Sequence, residues 1–232
     1  MFDERRHDID ALRSIALFLL IFYHLAVSFT SVAKWILFVP NNKPIDNIWS
    51  LLSIFNIWRI PLLFIIAGIA LRFSYQNRGV GKLFKERFKR LGIPYLFGAV
   101  TFVPLYIIIS AQFIYGDMSL DDNIGVLITS IFTGGHLWFL INILIYCLLF
   151  IPIIGFISNK KRGYKFVDSI LKIRGGVLLF SIPIILEGYL LDLTAYKEDI
   201  GYGNSYSEYY GTDHGLLLGF IWFLIGIVLT SQ

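Results

Sequence analysis

Apolar residues along this chain do not alternate with polar ones. They arrive in long blocks separated by short charged segments. Six blocks, approximately 11–33, 48–73, 91–114, 134–157, 176–196 and 214–230, have the length and composition of membrane-crossing helices, because a hydrocarbon core about 30 Å thick needs about 20 apolar residues in helix. The last block is the shortest. The pattern predicts an all-α fold, a polytopic transmembrane helical bundle forming a single domain over 1–232. No internal repeat of fixed period is present, and the connecting segments are short except for 197–213, which is rich in Tyr, Gly and Ser.

The charges between the blocks alternate in sign. Arg5 and Arg6 precede the first block, Arg78, Lys82, Lys85, Arg87, Lys89 and Arg90 follow the second, and Lys160, Lys161, Arg162, Lys165, Lys172 and Arg174 follow the fourth. The other loops carry Lys34, Lys43 and Asp46, then Asp117, Asp121 and Asp122, then Lys197, Glu198, Asp199, Glu208 and Asp213. Positive loops stay cytoplasmic, so both termini are expected inside. Trp35, Trp49 and Trp138 fall near the expected outer boundary, where amphipathic rings prefer to sit. A cleaved signal peptide is a competing reading of the N-terminus, with Ser31-Val32-Ala33 as its end, but the apolar stretch exceeds the usual length of such a signal and contains His24.

Composition agrees with this and removes other classes. Hydrophobic residues make up 56% of the 232 and charged residues only 16%, against roughly 25% charge in a soluble domain. The net charge of +4 is absorbed by topology and calls for no nucleic acid. The single cysteine, Cys147, makes no intrachain disulfide and no multi-cysteine metal site, so no metal is expected.

Ionisable groups inside the blocks are the informative exceptions, since each costs at least about 2.5 kcal/mol to insert. They are Arg13, His24, Arg59, Glu187 and Asp192, with His136 at a block edge. Arg13 and His24 are eleven residues apart, which at about 100° per residue puts them on one helix face, some 16 Å apart along the axis. Asp10 stands one turn before Arg13 as a pairing partner. A neutral imidazole is the form a general base requires; the bland alternative is a histidine that only bonds a neighbouring helix. Arg59 precedes Pro61 by two residues, and a proline that breaks the helix there would free carbonyls and suggest an internal polar cavity. A salt bridge from Arg59 to Glu187 or Asp192 is the alternative.

The segment Lys82–Leu91 reads as a short basic amphipathic helix, with Phe84, Phe88 and Leu91 on its apolar side. Arg87 and Arg90 are neighbours at i, i+3, a geometry suited to clamping phosphates; ordinary positive-inside charge is the competing reading. Gly79-Val80-Gly81-Lys82 lacks the spacing of a phosphate-binding loop. His136 sits beside Trp138, as an interfacial anchor or as part of a site.

In their order along the chain these segments resemble the membrane-bound acyltransferase-3 family. The resemblance rests on Asp8-Ile9-Asp10-Ala11-Leu12-Arg13-Ser14-Ile15-Ala16 with Phe22-Tyr23-His24, on Trp58-Arg59-Ile60-Pro61-Leu62-Leu63-Phe64-Ile65-Ile66-Ala67-Gly68, on Arg87-Phe88-Lys89-Arg90-Leu91-Gly92-Ile93-Pro94-Tyr95, and on Gly135-His136-Leu137-Trp138-Phe139-Leu140. It covers most of 8–157, and the wording around Arg59 is closest to the branch that includes periplasmic glucan succinyltransferases.

The resemblance implies an O-acyltransferase of a bacterial cytoplasmic membrane. It would move an acyl group, acetyl or succinyl, from acyl-coenzyme A to a carbohydrate or other cell-envelope acceptor, with no permanently bound cofactor. It implies that His24 is the catalytic base, that Arg13, Arg87 and Arg90 meet the donor's phosphates, and that Arg59, His136 and Trp138 line the cavity. Tyr202, Tyr206, Tyr209 and Tyr210 would be available to stack on sugars, or would belong to an interfacial loop. Two departures stand out. Ala67-Gly68 replaces the family's usual Ser-Gly, and the family carries more membrane helices than the six expected here, so the chain is expected to be truncated after the sixth or to be a reduced member. A membrane transporter or exporter, built on Arg59 beside a broken helix, and an inactive truncated remnant are the other readings.

Overall fold

A computed structural model of the protein describes residues 7–36, 38–45, 47–76, 79–116, 119, 121, 123–125, 127–128, 135–159, 168–170, 172–183, 185–186 and 213–229. Among these, every regular element is helical. We number the α-helices α1 (His7–Val27), α2 (Asn47–Gln76), α3 (Val80–Arg87), α4 (Ile93–Val100), α5 (Phe102–Tyr115), α6 (Trp138–Asn159) and α7 (Asp213–Leu229). Four described stretches are long and apolar enough to cross a bilayer, His7–Val27, Trp58–Tyr75, Val80–Tyr115 and Gly135–Ile154. The helix within Gly215–Leu229 is apolar but shorter.

Most of the expected blocks are found, with shifted ends. The first block becomes a helix that starts earlier, where Asp8 and Asp10 lie in its first turn and complement the helix dipole. It stops at Val27 rather than 33. Phe29 and Thr30 donate backbone bonds to Ala26 and Val27 at 3.0 and 2.9 Å, and a 3-10 turn follows over Ser31–Ile36. His24 therefore lies in the last turn of α1, nearer its end than a helix running to 33 would place it. The third block is preceded without a break by the basic segment, giving a run of 36 residues, Val80–Tyr115, that is helical but for a turn at Thr101. At about 1.5 Å per residue this exceeds a bilayer core, which leaves the charged start, α3, at the interface. Of the fifth block, Gly176–Ser181 is a 3-10 turn, and 187–190 with 191–196, including Glu187 and Asp192, lie outside the described residues.

Pro61 does not break α2. The helix runs from Asn47 to Gln76 with Pro61 inside it, so the sequence expectation of an interrupted helix is corrected. Neighbours on several sides hold it, because α1, α3, α6 and α7 all pack on α2. One apolar cluster joins Phe64 and Leu71 of α2 to Leu83 of α3, Phe150 and Ile154 of α6 and Phe223 of α7. A second joins Tyr23 and Val27 of α1 to Ala33, Phe38 and Leu52. Large apolar side chains such as Phe18, Ile21 and Phe22 of α1 point outward, as lipid-facing surface does.

Lipid tails are as apolar as leucine, so burial alone does not drive membrane helices together, and close backbone approach takes over. The α2/α7 crossing is built that way. A Cβ on Gly68 would lie 2.1 Å from the Phe223 carbonyl oxygen, and one on Gly226 would lie 2.1 Å from that of Ile65. The Tyr146 hydroxyl of α6 ties the start of α7 down by donating to the Leu216 carbonyl at 2.7 Å.

Gly68→Ala is accordingly expected to force the two helices apart and to cost about 1–3 kcal/mol, read as a lowered unfolding midpoint in detergent. Gly81→Ala, whose Cβ meets nothing within 4 Å, is the control and is expected to be neutral or slightly stabilising. Equal midpoints for the two variants would refute the close-approach reading.

Candidate active site

Helical periodicity orients α1. Arg13, Ala16, Leu20, Tyr23, His24 and Val27 are buried or half-buried, whereas Leu12, Ile15, Phe18, Phe22 and Leu25 are exposed. Arg13 and His24 thus share the inward face, as their spacing of eleven residues requires.

His24 meets His136 across a gap that no sequence spacing reveals. His136 stands on a 3-10 turn, Gly135–Leu137, directly before α6. Its ring stacks on that of His24 with centroids 5.9 Å apart and planes inclined by 19°. Two more aromatic rings close the chamber. Phe38, from the loop between α1 and α2, lies 5.7 Å from the His24 ring and 4.8 Å from that of His136. Tyr106 of α5 lies 4.7 Å from His136 and 5.9 Å from Phe38. His24 is half-buried and His136 is exposed.

Arg59 forms the floor. It is 1% exposed, and its guanidinium carbon sits 4.0 Å from the centroid of the Tyr23 ring, adjacent to His24 on α1. A desolvated cation over an aromatic face gains on the order of 2 kcal/mol. The charge is held by a continuous helix and a ring, where the sequence suggested a broken helix. Trp138 packs against Phe64 and Phe139, at 6.4 and 6.0 Å between centroids, within the α2/α6 core.

The arginines at the other end are arranged differently from the pair that the i, i+3 spacing suggested. The helix widens into a π turn over Phe88–Gly92, between Arg87 and the start of α4. Arg87 turns toward α2, where its Nη2 donates to the Ala70 carbonyl at 3.1 Å and to the Ser74 hydroxyl. Arg90 is exposed and pairs with Glu86 at 3.1 Å. Arg13, Arg87 and Arg90 stand on separate elements, α1, α3 and the π turn.

The sequence reading passed over three residues. Phe38 and Tyr106 looked like ordinary members of apolar segments. Arg72 sits at the edge of its block, where a snorkelling cation is unremarkable, yet it is 5% exposed, and its Nε and Nη1 meet no hydrogen-bond acceptor among the described residues. A polar residue near a block edge with apolar neighbours on both sides was the available signal. The outer-loop tyrosines, Tyr202, Tyr206, Tyr209 and Tyr210, fall outside the described residues.

The helical membrane bundle thus brings two histidines face to face among aromatic rings, near a buried arginine. Comparison with known families gives it a class: the acyltransferase domain model of family 3 matches residues 6–231. The chain belongs to the membrane-bound acyltransferase-3 family and is a multi-pass membrane acyltransferase that transfers groups other than amino-acyl groups. No curated protein and no solved structure matches it.

Two outcomes test the geometry. Tyr23→Leu removes the ring face under Arg59 and is expected to destabilise the protein by about 1–2 kcal/mol, while Tyr23→Phe retains most of that stability; thermal unfolding of both in detergent decides, and equal losses would exclude the cation–π contact. Arg87→Met removes the nitrogen that donates to both Ala70 and Ser74 and is expected to loosen α3 from α2. Faster hydrogen exchange confined to 80–87 would report it, and unchanged exchange would mean that these bonds do not dock the helix.

Proposed function

We propose that the protein transfers an acyl group from acyl-coenzyme A, on the cytoplasmic side of a bacterial cytoplasmic membrane, to a hydroxyl of a carbohydrate or other cell-envelope acceptor on the outer side. The observation that carries the proposal is the His24–His136 pair, 5.9 Å between rings, exposed at His136 and reached from the end of α1 opposite to Arg13. His24 takes the proton from the acceptor hydroxyl as its oxygen attacks the thioester carbonyl. The tetrahedral adduct then collapses, the carbon–sulfur bond breaks, and the departing sulfur recovers the proton from the imidazolium. Positioned base catalysis of this kind contributes about 10²–10⁴-fold.

Arg13, Arg87 and Arg90 supply the positive charge that the donor's phosphates require. Arg13 and His24 lie about 16 Å apart along α1, a separation that the long arm joining the phosphates to the thioester of coenzyme A can span. In this reading His136 faces the acceptor, Arg59 supplies a buried positive charge behind Tyr23, Trp138 supports them from the α2/α6 core, and the lipid bilayer is the surroundings. The unbroken α2 removes the interrupted helix that favoured a transporter.

His24→Ala in reconstituted vesicles is expected to lower acceptor-dependent release of free coenzyme A from acetyl- or succinyl-coenzyme A by at least about 100-fold, with the protein still monodisperse in detergent. Undiminished release would overturn the assignment of the base.

A further inference from the structure

The loop between α1 and α2 has two working faces. Through Phe38 it covers both histidines. With Thr30, Ser31, Lys34, Asn41 and Asn42, it also lines a separate cavity of about 300 Å³, within the usual range for small-molecule sites of about 300–1,000 Å³. Several backbone bonds hold the loop in shape. Phe38 donates to Ala33 at 2.9 Å, Asn41 to Ser28 at 2.9 Å and Ile45 to Phe29 at 2.7 Å, and the Lys43 amide donates to Asn41 Oδ1 at 3.0 Å.

Two elements run from the histidine chamber to this cavity. Thr30 follows His24 by six residues, and Phe113, which forms the opposite wall, follows Tyr106 by seven on α5. Along α5 that separation is about 10 Å at helical rise, and Thr30 lies three residues past the end of α1 at Val27. The cavity therefore lies about two helical turns beyond the chamber, at the end of α1 away from the N-terminus. That is the outer side in the orientation the loop charges predict. Its lining combines hydroxyl and amide groups, which exchange hydrogen bonds with a polyol, with the flat apolar surfaces of Pro40, Pro44 and Phe113, which suit the face of a sugar ring. Lys34 adds a positive charge, and no carboxylate is among the lining residues described.

We infer that this cavity is an acceptor subsite for an anionic saccharide unit, one other than the unit that is acylated. The inference rests on the acyl-transfer reading for its purpose but not for its test. Binding energy gathered here, remote from the reacting hydroxyl, would be available to orient that hydroxyl at His24.

Saturation-transfer NMR on the detergent-purified full chain tests the subsite directly, with glucuronate and glucose 1-phosphate as anionic probes and methyl glucoside as the neutral one. Saturation is expected to reach the ring protons of the anionic sugars. Lys34→Gln is expected to weaken their binding on the order of fivefold without affecting methyl glucoside, and Lys34→Arg to retain it. His24→Ala is expected to leave binding intact. Lack of transfer to either anionic sugar, indifference to Lys34→Gln, or binding of short-chain phosphatidylglycerol in preference to the sugars would each overturn the inference. Lys34-dependent binding in a chain that transfers no acyl group would support the subsite and overturn only the proposed reaction.

Discussion

The arrangement depends first on how a cation is kept inside an apolar bundle. Arg59 is all but inaccessible, and a charge in that position has to be compensated by its immediate neighbours. Tyr23 provides a ring face at 4.0 Å, and in doing so it fixes the rotation of α1 about its own axis. Because helical residues are spaced by about 100°, that one contact also turns His24 inward and Phe22 outward. The orientation of the candidate base thus goes with the Tyr23–Arg59 contact and with the packing of Val27 against Ala33, Phe38 and Leu52.

α2 is the element through which the other contacts are organised. Its inward surface receives α1 through Tyr23 and α7 through the glycine crossing, and near its far end it accepts the Arg87 guanidinium at Ala70 and Ser74. Each contact uses a different kind of interaction, respectively cation–π, close backbone packing and charge-assisted hydrogen bonding. In lipid, where simple burial discriminates little between partners, that variety gives each neighbour a distinct seat. It also explains why Pro61 is accommodated without a break, since the flanking turns are held from outside the helix.

What was legible in the sequence is what depends on local periodicity and on membrane thickness. The apolar blocks gave most of the helices, and the spacing of Arg13 and His24 gave their shared face, because both follow from constants of the α-helix. The His24–His136 contact was not legible, since it joins residues more than a hundred positions apart through tertiary packing. Phe38 and Tyr106 gave no signal because an aromatic residue facing a chamber and one facing lipid look alike in an apolar run. The Arg87/Arg90 reading assumed a uniform α-helix and so missed a change of helical pitch, while Pro61 was read by a local rule that the packing around α2 overrides.

That change of pitch has a consequence for the whole of the third crossing. A π turn is in effect one residue inserted into an otherwise regular helix, and it advances everything beyond it by roughly a quarter of a revolution. The helix on one side of Phe88–Gly92 is thereby phased to dock its arginine on α2, and the helix on the other side is phased to bury Tyr95, Gly98 and Ala99. A regular helix of the same composition would satisfy one of these surfaces and misalign the other. The turn works as a coupling between two registers, so a residue inserted or deleted there would misalign one of the two surfaces.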